Sequence, residues 1–243
     1  RKGDYRALSS LLKEDSLPLK ARIVGDALVE KGELDIAVNV LRKVMVDNPS
    51  DLLTTASLAR AFTKSNDYSR LNDLLSSAGE LVFTSDGLAR LYMVSYLKLE
   101  LFEEALQLAN RVQIEFPESA ECMEICGQAQ ERNSSESLAL DCYKKSIKLD
   151  PSRPNAYLGL IRLLLKRNMW SQADKITQTA LKIFPENTDL LRLLSHTLFR
   201  SDNMEGAKEA LSKIIKKFPE DGRSYDMLAS IYMVEGEFEL AQE

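Results

Sequence analysis

Residues 154–185 read PNAYLGLIRLLLKRNMWSQADKITQTALKIFP, and this stretch decides the fold. In its first half, apolar side chains recur at helical steps of three and four, at Tyr157, Leu160, Ile161 and Leu164. After a polar turn, a second helical stripe follows, through Trp170, Ala173, Ile176 and Ala180. The second helix is expected to end at Phe184, because the residue before a proline is disfavoured in the helical region. The stretch therefore predicts two antiparallel helices of about 14 residues each.

The same pattern returns along the chain with a period of 34 residues. Five of the seven prolines share one phase, namely Pro49, Pro117, Pro151, Pro185 and Pro219, and Phe83 fills the missing position. Alanine keeps a second phase, at Ala37, Ala105, Ala139, Ala173, Ala207 and Ala241. A period of this length is typical of solenoids and propellers, and helical spacing within each unit favours a solenoid. One helix pair cannot bury its apolar faces alone, so successive pairs are expected to stack.

These residues resemble the tetratricopeptide repeat, whose signature has an aromatic residue, Leu-Gly and Tyr in the first helix, Ala and Phe in the second, and a closing Pro. The resemblance implies an all-α fold, a right-handed superhelical α-solenoid of stacked antiparallel helix pairs. It places repeats at 18–51, 52–85, 86–119, 120–153, 154–187 and 188–221. The second helix of an incomplete repeat is expected at 1–17, entered by a turn at residues 2–5, and a truncated repeat at 222–243. We expect this chain to be a piece of a longer array.

The repeat at 120–153 is degenerate. Gln130 and Glu136 occupy positions that are apolar in the other repeats, and Asn133, Ser134 and Ser135 make a polar turn between them. We expect this repeat to be less protected from amide exchange than its neighbours.

Charge and motifs exclude several functional classes. The 32 basic and 37 acidic residues give a net charge of −5, which argues against nonspecific binding of nucleic acid. A single histidine, His196, is present without a nucleophile motif or a glycine-rich phosphate loop, so we predict no enzymatic activity and no cofactor. The sequence contains no apolar run long enough for insertion into a membrane.

The three cysteines have two interpretations. Cys122 and Cys126 lie one helical turn apart, and Cys142 belongs to the paired helix, which would supply three ligands of an incomplete zinc site. We favour the other interpretation, in which they are small buried apolar residues, and we predict no metal. An odd number of cysteines in a chain of this size favours a reducing compartment such as the cytoplasm.

In this family the inner wall of the superhelix usually binds a peptide, so the resemblance implies a groove lined by the first helices. The predicted partner-binding residues are Arg22, Arg60, Arg90, Val94, Leu97, Arg162, Leu165, Arg192, His196, Phe199 and Met233. Apolar side chains flanked by arginines suit an acidic, amphipathic protein segment. Alternatively, leucines such as Leu91 and Leu158 pack against the neighbouring repeat, and Arg90 and Arg162 pair with glutamates.

The function predicted from the sequence is a noncatalytic protein–protein interaction scaffold that binds a partner segment in its groove. Two alternatives remain open. The chain could assemble with itself as a homo-dimer, or it could be the substrate-recruiting arm of a larger protein, such as an enzyme or an envelope or secretion assembly factor.

Overall fold

The computed structural model describes residues 17–242, which form thirteen α-helices, one 3-10 helix and no strand. The helices are α1 Leu17–Lys31, α2 Leu34–Asp47, α3 Leu52–Lys64, α4 Tyr68–Ala78, α5 Asp86–Lys98, α6 Phe102–Glu115, α7 Ala120–Arg132, α8 Glu136–Leu149, α9 Pro154–Lys166, α10 Trp170–Ile183, α11 Thr188–Arg200, α12 Met204–Lys217 and α13 Gly222–Glu235. The 3-10 helix Gly79–Thr84 follows α4. The helix predicted at 1–17 and the turn at residues 2–5 lie outside the described residues, apart from Leu17 at the start of α1.

Helix starts follow the period read from the sequence. From α3 onwards every odd-numbered helix begins 34 residues after the previous one, and the even-numbered helices do the same from α2 to α12. Within residues 17–133 and within residues 134–242, consecutive helices contact each other. The predicted fold class, an all-α solenoid of stacked antiparallel helix pairs, is confirmed. The division into 34-residue repeats is kept as a proposal.

The turns within the helix pairs share one backbone feature. A residue with positive φ occurs at Gly32, Asn66, Glu100, Ser134, Asn168, Asp202 and Gly236, again at a spacing of 34. Glycine and asparagine adopt this left-handed conformation readily, whereas glutamate and serine do so at a cost. The position within the 34-residue period, rather than the preference of the residue type, therefore indicates where this conformation occurs.

The starts of the first helices also repeat a polar contact. Asp51, Ser119, Asn187 and Asp221 each accept a hydrogen bond from a backbone N–H in the first turn of the helix that follows. Such side-chain caps satisfy one of the unpaired N–H groups and each contributes about 1 kcal/mol. They fix where α3, α7, α11 and α13 begin.

The described chain divides after Asn133 into two compact units. Unit 1 contains α1–α7, and unit 2 contains α8–α13. The division falls within the polar Asn133-Ser134-Ser135 turn of the degenerate repeat.

The two polar residues of that repeat that replace apolar ones both have partners. Gln130 is buried and donates a hydrogen bond to Asn110, at 3.3 Å between Nε2 and Oδ1. Glu136 pairs with Lys166 and Arg167 at 2.6 and 3.1 Å. The lower protection expected for this repeat stays a prediction.

Unit 1 buries a close helix contact and two cysteines. A Cβ atom on Gly25 would lie 2.5 Å from the Leu41 side chain, so glycine permits the approach of α1 and α2. The fully buried Met93 places its Sδ 3.8 Å from Cys126 Sγ. Cys122 is also buried, and its burial raises the pKa of the thiol.

Unit 2 has its largest core around α9. The predicted stripe of Tyr157, Leu160, Ile161 and Leu164 is buried there, and Trp170 packs against it while remaining half-buried. The buried ring of Tyr143 from α8 covers Gly159. Cys142 is buried, and this burial raises its thiol pKa to about 11. Buried, protonated thiols are poor metal ligands, which fits their interpretation as small apolar residues.

Residues 17–242 contain neither a cluster of metal ligands nor a helix suited to a membrane. No group of three or more His, Cys, Asp or Glu side chains is placed to hold a metal ion. None of these helices combines the length and the apolar character that crossing a bilayer requires.

Candidate functional site

A cavity of about 200 Å³ opens between α11 and α13 of unit 2. We refer to it as the α11–α13 pocket, and its lining consists of Ser195, His196 and Phe199 from α11 and Met227, Ser230 and Ile231 from α13. Residues three and four apart share a helix face, so both helices turn one side towards the cavity. An apolar pocket with a few polar groups is the usual form of a ligand site.

The pocket has a buried floor and an open rim. Ser195 and Ile231 are 0% and 2% exposed and form the floor. Phe199 and Met227 are half-buried and form the walls, while His196 and Ser230 are exposed at the rim. An incoming group would therefore pass the two polar rim residues and fill the space between the apolar walls.

The Ser195 hydroxyl is an unusual feature of the floor. Its Oγ is buried and has no hydrogen-bond partner among the described residues. Thr197, two residues along the same helix, is equally buried but donates a hydrogen bond to the Leu193 carbonyl at 2.7 Å. Leaving a buried hydroxyl unpaired costs about 1–3 kcal/mol, so the Ser195 hydroxyl weakens the folded protein.

The surroundings of His196 favour the neutral form of its imidazole. Desolvation of the imidazole by its neighbours lowers its pKa, and the positive charge of Arg200 lowers it further. The Trp170 ring lies nearby, with 6.4 Å between its centroid and that of the imidazole. At neutral pH the rim therefore offers an uncharged imidazole that can both donate and accept a hydrogen bond.

Two exposed arginines of unit 2 are not engaged in ion pairs with the described residues. Arg200 is exposed and lies over the Trp170 ring, with 5.1 Å between its guanidinium carbon and the ring centroid. Arg162 on α9 is exposed as well. Within residues 17–242, neither guanidinium has a carboxylate at ion-pair distance. Both are thus free to meet an anionic group on a partner.

Three other predicted arginines are engaged in ion pairs. Arg60 meets Asp26 at 2.6 Å, and Arg90 meets Glu121 at 2.9 Å. Arg192 bridges Asp189 at 2.6 Å and Asp221 at 2.8 Å, in contacts that link α11 to the start of α13. The carboxyl of Asp221 has a lowered pKa because it accepts hydrogen bonds from Ser224 and from Arg192. These guanidinium groups would have to break a contact before binding a partner.

The remaining predicted residues differ in accessibility. Arg22, Val94 and Leu97 are half-buried in unit 1. In unit 2, Leu165 is 9% exposed and belongs to the core around α9, whereas Met233 is 59% exposed in the last turn of α13. Leu91 and Leu158 are buried, as the interpretation of packing against a neighbouring repeat requires. Only His196 and Phe199 of the predicted set lie together at the pocket.

The sequence pattern missed Ser230 and Ile231 as pocket residues. Ser195 was visible as the residue in the small-residue position of its repeat, and Met227 as an apolar residue on the inner side of its helix. The available signal was the polar character of Ser195 in a position that is otherwise glycine, alanine or large and apolar. The pocket is formed by residues of both α11 and α13. The spacing pattern along one helix does not show which residues of the other helix lie opposite it.

Comparisons with known proteins give one family and one curated relative. A tetratricopeptide-repeat family model matches residues 175–232, which span most of α10, all of α11 and α12, and most of α13. The curated relative is the interferon-induced protein with tetratricopeptide repeats 2 of Cricetulus griseus, 26% identical over 94 residues. That match covers 39% of this chain and 20% of the relative, so the chain spans about a fifth of that protein.

Solved structures share the fold at low sequence identity. Pseudomonas aeruginosa PilF superposes with a TM-score of 0.73 at 18% identity, covering 89% of this chain and 98% of that one. In the APC/C hetero-tetramer Cut9–Hcn1, the matching chain gives a TM-score of 0.74 at 12% identity, covering 95% and 46% of the two chains. YrrB, described as a tetratricopeptide-repeat protein with an unusual peptide-binding site, gives 0.60 at 18% identity, with coverages of 76% and 95%.

Proposed function

We propose that this chain, which matches a tetratricopeptide-repeat family model over residues 175–232, is a noncatalytic scaffold that binds an acidic, amphipathic segment of another protein. We place the binding surface on the solvent side of α9, α11 and α13 in unit 2, and call it the first-helix face of unit 2. Repeats of this fold generally serve as protein-interaction scaffolds. The acidic character of the segment and the choice of this face are specific to the proposal.

The observation that carries the proposal is the combination of one apolar pocket with unpaired arginines in the same unit. The α11–α13 pocket offers half-buried apolar walls at Phe199 and Met227. Arg162 and Arg200 are exposed and have no carboxylate at ion-pair distance among the described residues. Apolar contact supplies affinity, and the guanidinium groups select and orient an anionic partner.

In unit 1, two of the predicted arginines are already paired with carboxylates and are less available to an acidic segment. Its Arg60 and Arg90 are already neutralised by Asp26 and Glu121. A partner would gain little there, because an exposed ion pair exchanged for another contributes less than about 1 kcal/mol. We therefore assign the principal contact with an acidic segment to unit 2, with an affinity of about micromolar, which is about −8 kcal/mol.

The test selects short peptides from a display library against the purified chain and measures their affinities by titration at low and high salt. We expect the selected peptides to be rich in Asp and Glu and to bind more weakly as salt screens the charges. The double variant Arg162→Glu/Arg200→Glu should weaken binding by about tenfold, since two favourable contacts become repulsive.

The matched control is Lys182→Glu, which makes the same change of charge on α10, a second helix of unit 2 where Lys182 is exposed. This variant should leave the affinity unchanged within about twofold, because surface charges distant from the ligand are screened. Equal weakening by both variants, or a selection without acidic peptides, would reject the proposed face.

A further inference from the structure

The α11–α13 pocket and the arginine beside it are matched to two neighbouring side chains of a partner. We infer that the pocket receives one phenylalanine side chain of the acidic partner segment, and that Arg200 meets an acidic residue close to that phenylalanine. This inference rests on the proposed function and specifies how the segment is anchored. It follows from the size of the pocket, the chemistry of its lining and the charge beside its rim.

Size limits the occupant to about one ring. The pocket measures about 200 Å³. An apolar protein cavity of about 150 Å³ is large enough to hold benzene, so this pocket accommodates a benzene ring and the methylene group that joins it to a backbone. An alanine or valine side chain would leave part of the apolar wall uncovered. Filling that wall is what gives an anchor residue its binding energy.

The walls favour a ring over a branched aliphatic chain. Phe199 and Met227 are half-buried, since each packs against the core cluster that contains Ile231 and also lines the cavity. Phe199 can meet an incoming ring edge to face, and aromatic pairs of this kind contribute beyond the area that they bury. Met227 supplies a thioether, and contacts between sulfur and aromatic rings are also favourable. A leucine side chain would fill the space without either contact.

The floor favours a ring without a polar group. Ile231 is 2% exposed and Ser195 is 0% exposed, so the floor offers no accessible hydroxyl to the end of an inserted ring. A tyrosine hydroxyl at that depth would lose its water without gaining a partner, which is unfavourable. An indole N–H has the same disadvantage, and a carboxylate or an ammonium group has a greater one. Phenylalanine is the aromatic side chain that carries no polar group.

The charge beside the rim determines what flanks the ring. Arg200 follows His196 by one helical turn, and its positive charge reaches that imidazole, whose pKa it lowers. The guanidinium lies over the Trp170 ring, and no carboxylate of the described residues is at ion-pair distance from it. A lysine or arginine of the partner would be repelled there, whereas an aspartate or glutamate would remain in water and pair with the guanidinium.

Helix geometry limits how far apart the two partner residues are. The four residues from His196 at the rim to Arg200 rise about 6 Å along α11. An extended segment covers that distance in about two residues, at about 3.3 Å per residue. The acidic side chain is therefore one or two positions from the phenylalanine.

The first experiment probes the pocket without a peptide, using toluene as the phenylalanine side chain and p-cresol as the tyrosine side chain. Each is titrated against protein with isotope-labelled methionine methyl groups and followed by NMR. Toluene should shift the Met227 signal saturably and leave the signal of Met123, which is buried in unit 1, unchanged. It should bind about tenfold more tightly than p-cresol, because the phenol finds no partner. An unperturbed Met227 signal or tighter binding of p-cresol overturns the inference.

The second experiment tests the flanking charge with two larger probes. 3-Phenylpropionate joins the ring to a carboxylate, and 3-phenylpropanamide is its neutral counterpart. The carboxylate should bind about threefold more tightly than the amide to the wild-type chain, and equally tightly to Arg200→Gln. Lys182→Gln is the control, since it removes the same charge from an exposed position on α10 and should keep the threefold preference. A preference that persists in Arg200→Gln, or is absent from the wild-type chain, contradicts the role of Arg200.

The third experiment uses a display-selected acidic peptide that contains phenylalanine. Replacing this phenylalanine by alanine should weaken binding to the wild-type chain about thirtyfold and binding to Phe199→Ala much less, because the contact is already lost. Leu194→Ala is the matched control, since Leu194 is also half-buried on α11 but does not line the pocket. The loss should be as large there as in the wild-type chain. An equal loss in all three proteins would place the phenylalanine elsewhere.

These outcomes separate the anchor from the proposed function. If acidic peptides bind with the expected dependence on Arg162 and Arg200 but lose nothing when phenylalanine is replaced, the phenylalanine pocket is wrong and the acidic scaffold stands. If toluene binds at Met227 and no acidic peptide is selected, the pocket for a ring stands and the scaffold proposal fails.

Discussion

The ring of Tyr143 lies so close over Gly159 that a Cβ atom at residue 159 would sit 2.4 Å from the ring Cζ. Tyr143 is fully buried, so its ring cannot move aside into solvent. The contact joins α8 to α9 and makes glycine a packing requirement in the middle of a helix, where it is otherwise unfavourable by about 1 kcal/mol relative to alanine.

Gly159→Ala should therefore destabilise unit 2. Overpacking a filled core costs about 1–3 kcal/mol, which exceeds the gain in helix propensity. Urea unfolding followed through the fluorescence of Trp170, the sole tryptophan and a residue of unit 2, reports on this unit. Gly222→Ala is the control, because a Cβ there meets nothing within 4 Å. An unchanged midpoint in Gly159→Ala would show that the ring relaxes freely.

The turn between α5 and α6 leads to a prediction of increased stability, whereas Gly159→Ala is expected to lower stability. Glu100 is exposed and holds a φ of 59°, a conformation that side chains with a Cβ atom adopt at a cost of about 1–2 kcal/mol. Glu100→Gly should raise the free energy of unfolding of unit 1 by about 1 kcal/mol, since glycine carries no such penalty.

The equivalent turn between α1 and α2 supplies the control for Glu100→Gly. Gly32 has a φ of 80°, so Gly32→Ala should lower stability by about 1 kcal/mol. Amide exchange of α5 and α6 for the first variant, and of α1 and α2 for the second, measures both effects. Destabilisation by Glu100→Gly would mean that its side chain makes a favourable contact that outweighs the strain.

The sequence predicted the elements of this fold well because its repeated signals are local. Trp170 marks the start of the second stripe, and α10 begins at that residue. The period of 34 places each helix start, since a packing position in one pair recurs in the next. Positive φ at Glu100 and Ser134 escaped prediction, because neither residue type favours that conformation and only the position in the period indicates it.

The candidate site was predictable in part. His196 and Phe199 were found because they lie on the inner side of a helix whose other side is apolar. The pairing of Arg192 with Asp221 was not found, since the two are 29 residues apart and the pattern does not tell which nearby carboxylate reaches a given guanidinium. For the same reason the sequence did not show which predicted arginines form ion pairs and which, like the exposed Arg162, do not.

The pair Tyr92 and Tyr96 leads to a prediction about alkaline pH. Their rings stack at 4.7 Å between centroids, and their hydroxyl oxygens lie 2.7 Å apart. Burial of the phenol, followed by its hydrogen bond and charge interaction with Tyr92, raises the pKa of Tyr96 to about 12. The folded state thus favours the protonated phenol, whereas an unfolded tyrosine titrates near pH 10.

The sign of the pH effect follows from this raised pKa. The contribution of Tyr96 to stability is complete below about pH 10 and is lost as pH rises towards about 12. Unfolding measured in steps across this range should show a steeper loss in the wild-type chain than in Tyr96→Phe. Tyr92→Phe should move the phenolate absorbance change of Tyr96 to lower pH. Equal slopes in the wild-type chain and Tyr96→Phe would contradict the assignment.

The two buried hydroxyls of α11 should respond differently to removal. Ser195→Ala deletes a buried hydroxyl that has no partner among the described residues, and alanine also favours the helix, so stability should stay equal or rise by about 1 kcal/mol. Thr197→Val deletes a hydroxyl that donates to the Leu193 carbonyl, so stability should fall by about 1 kcal/mol.

Both variants can be measured by urea unfolding with Trp170 fluorescence. Ser195→Ala adds no volume to the core, and Thr197→Val adds only the difference between a methyl and a hydroxyl group. A fall in Ser195→Ala as large as that in Thr197→Val would mean that the Ser195 hydroxyl is bonded within the folded chain. An equal or higher stability would confirm that this hydroxyl is buried without a partner and makes no favourable contribution to folding.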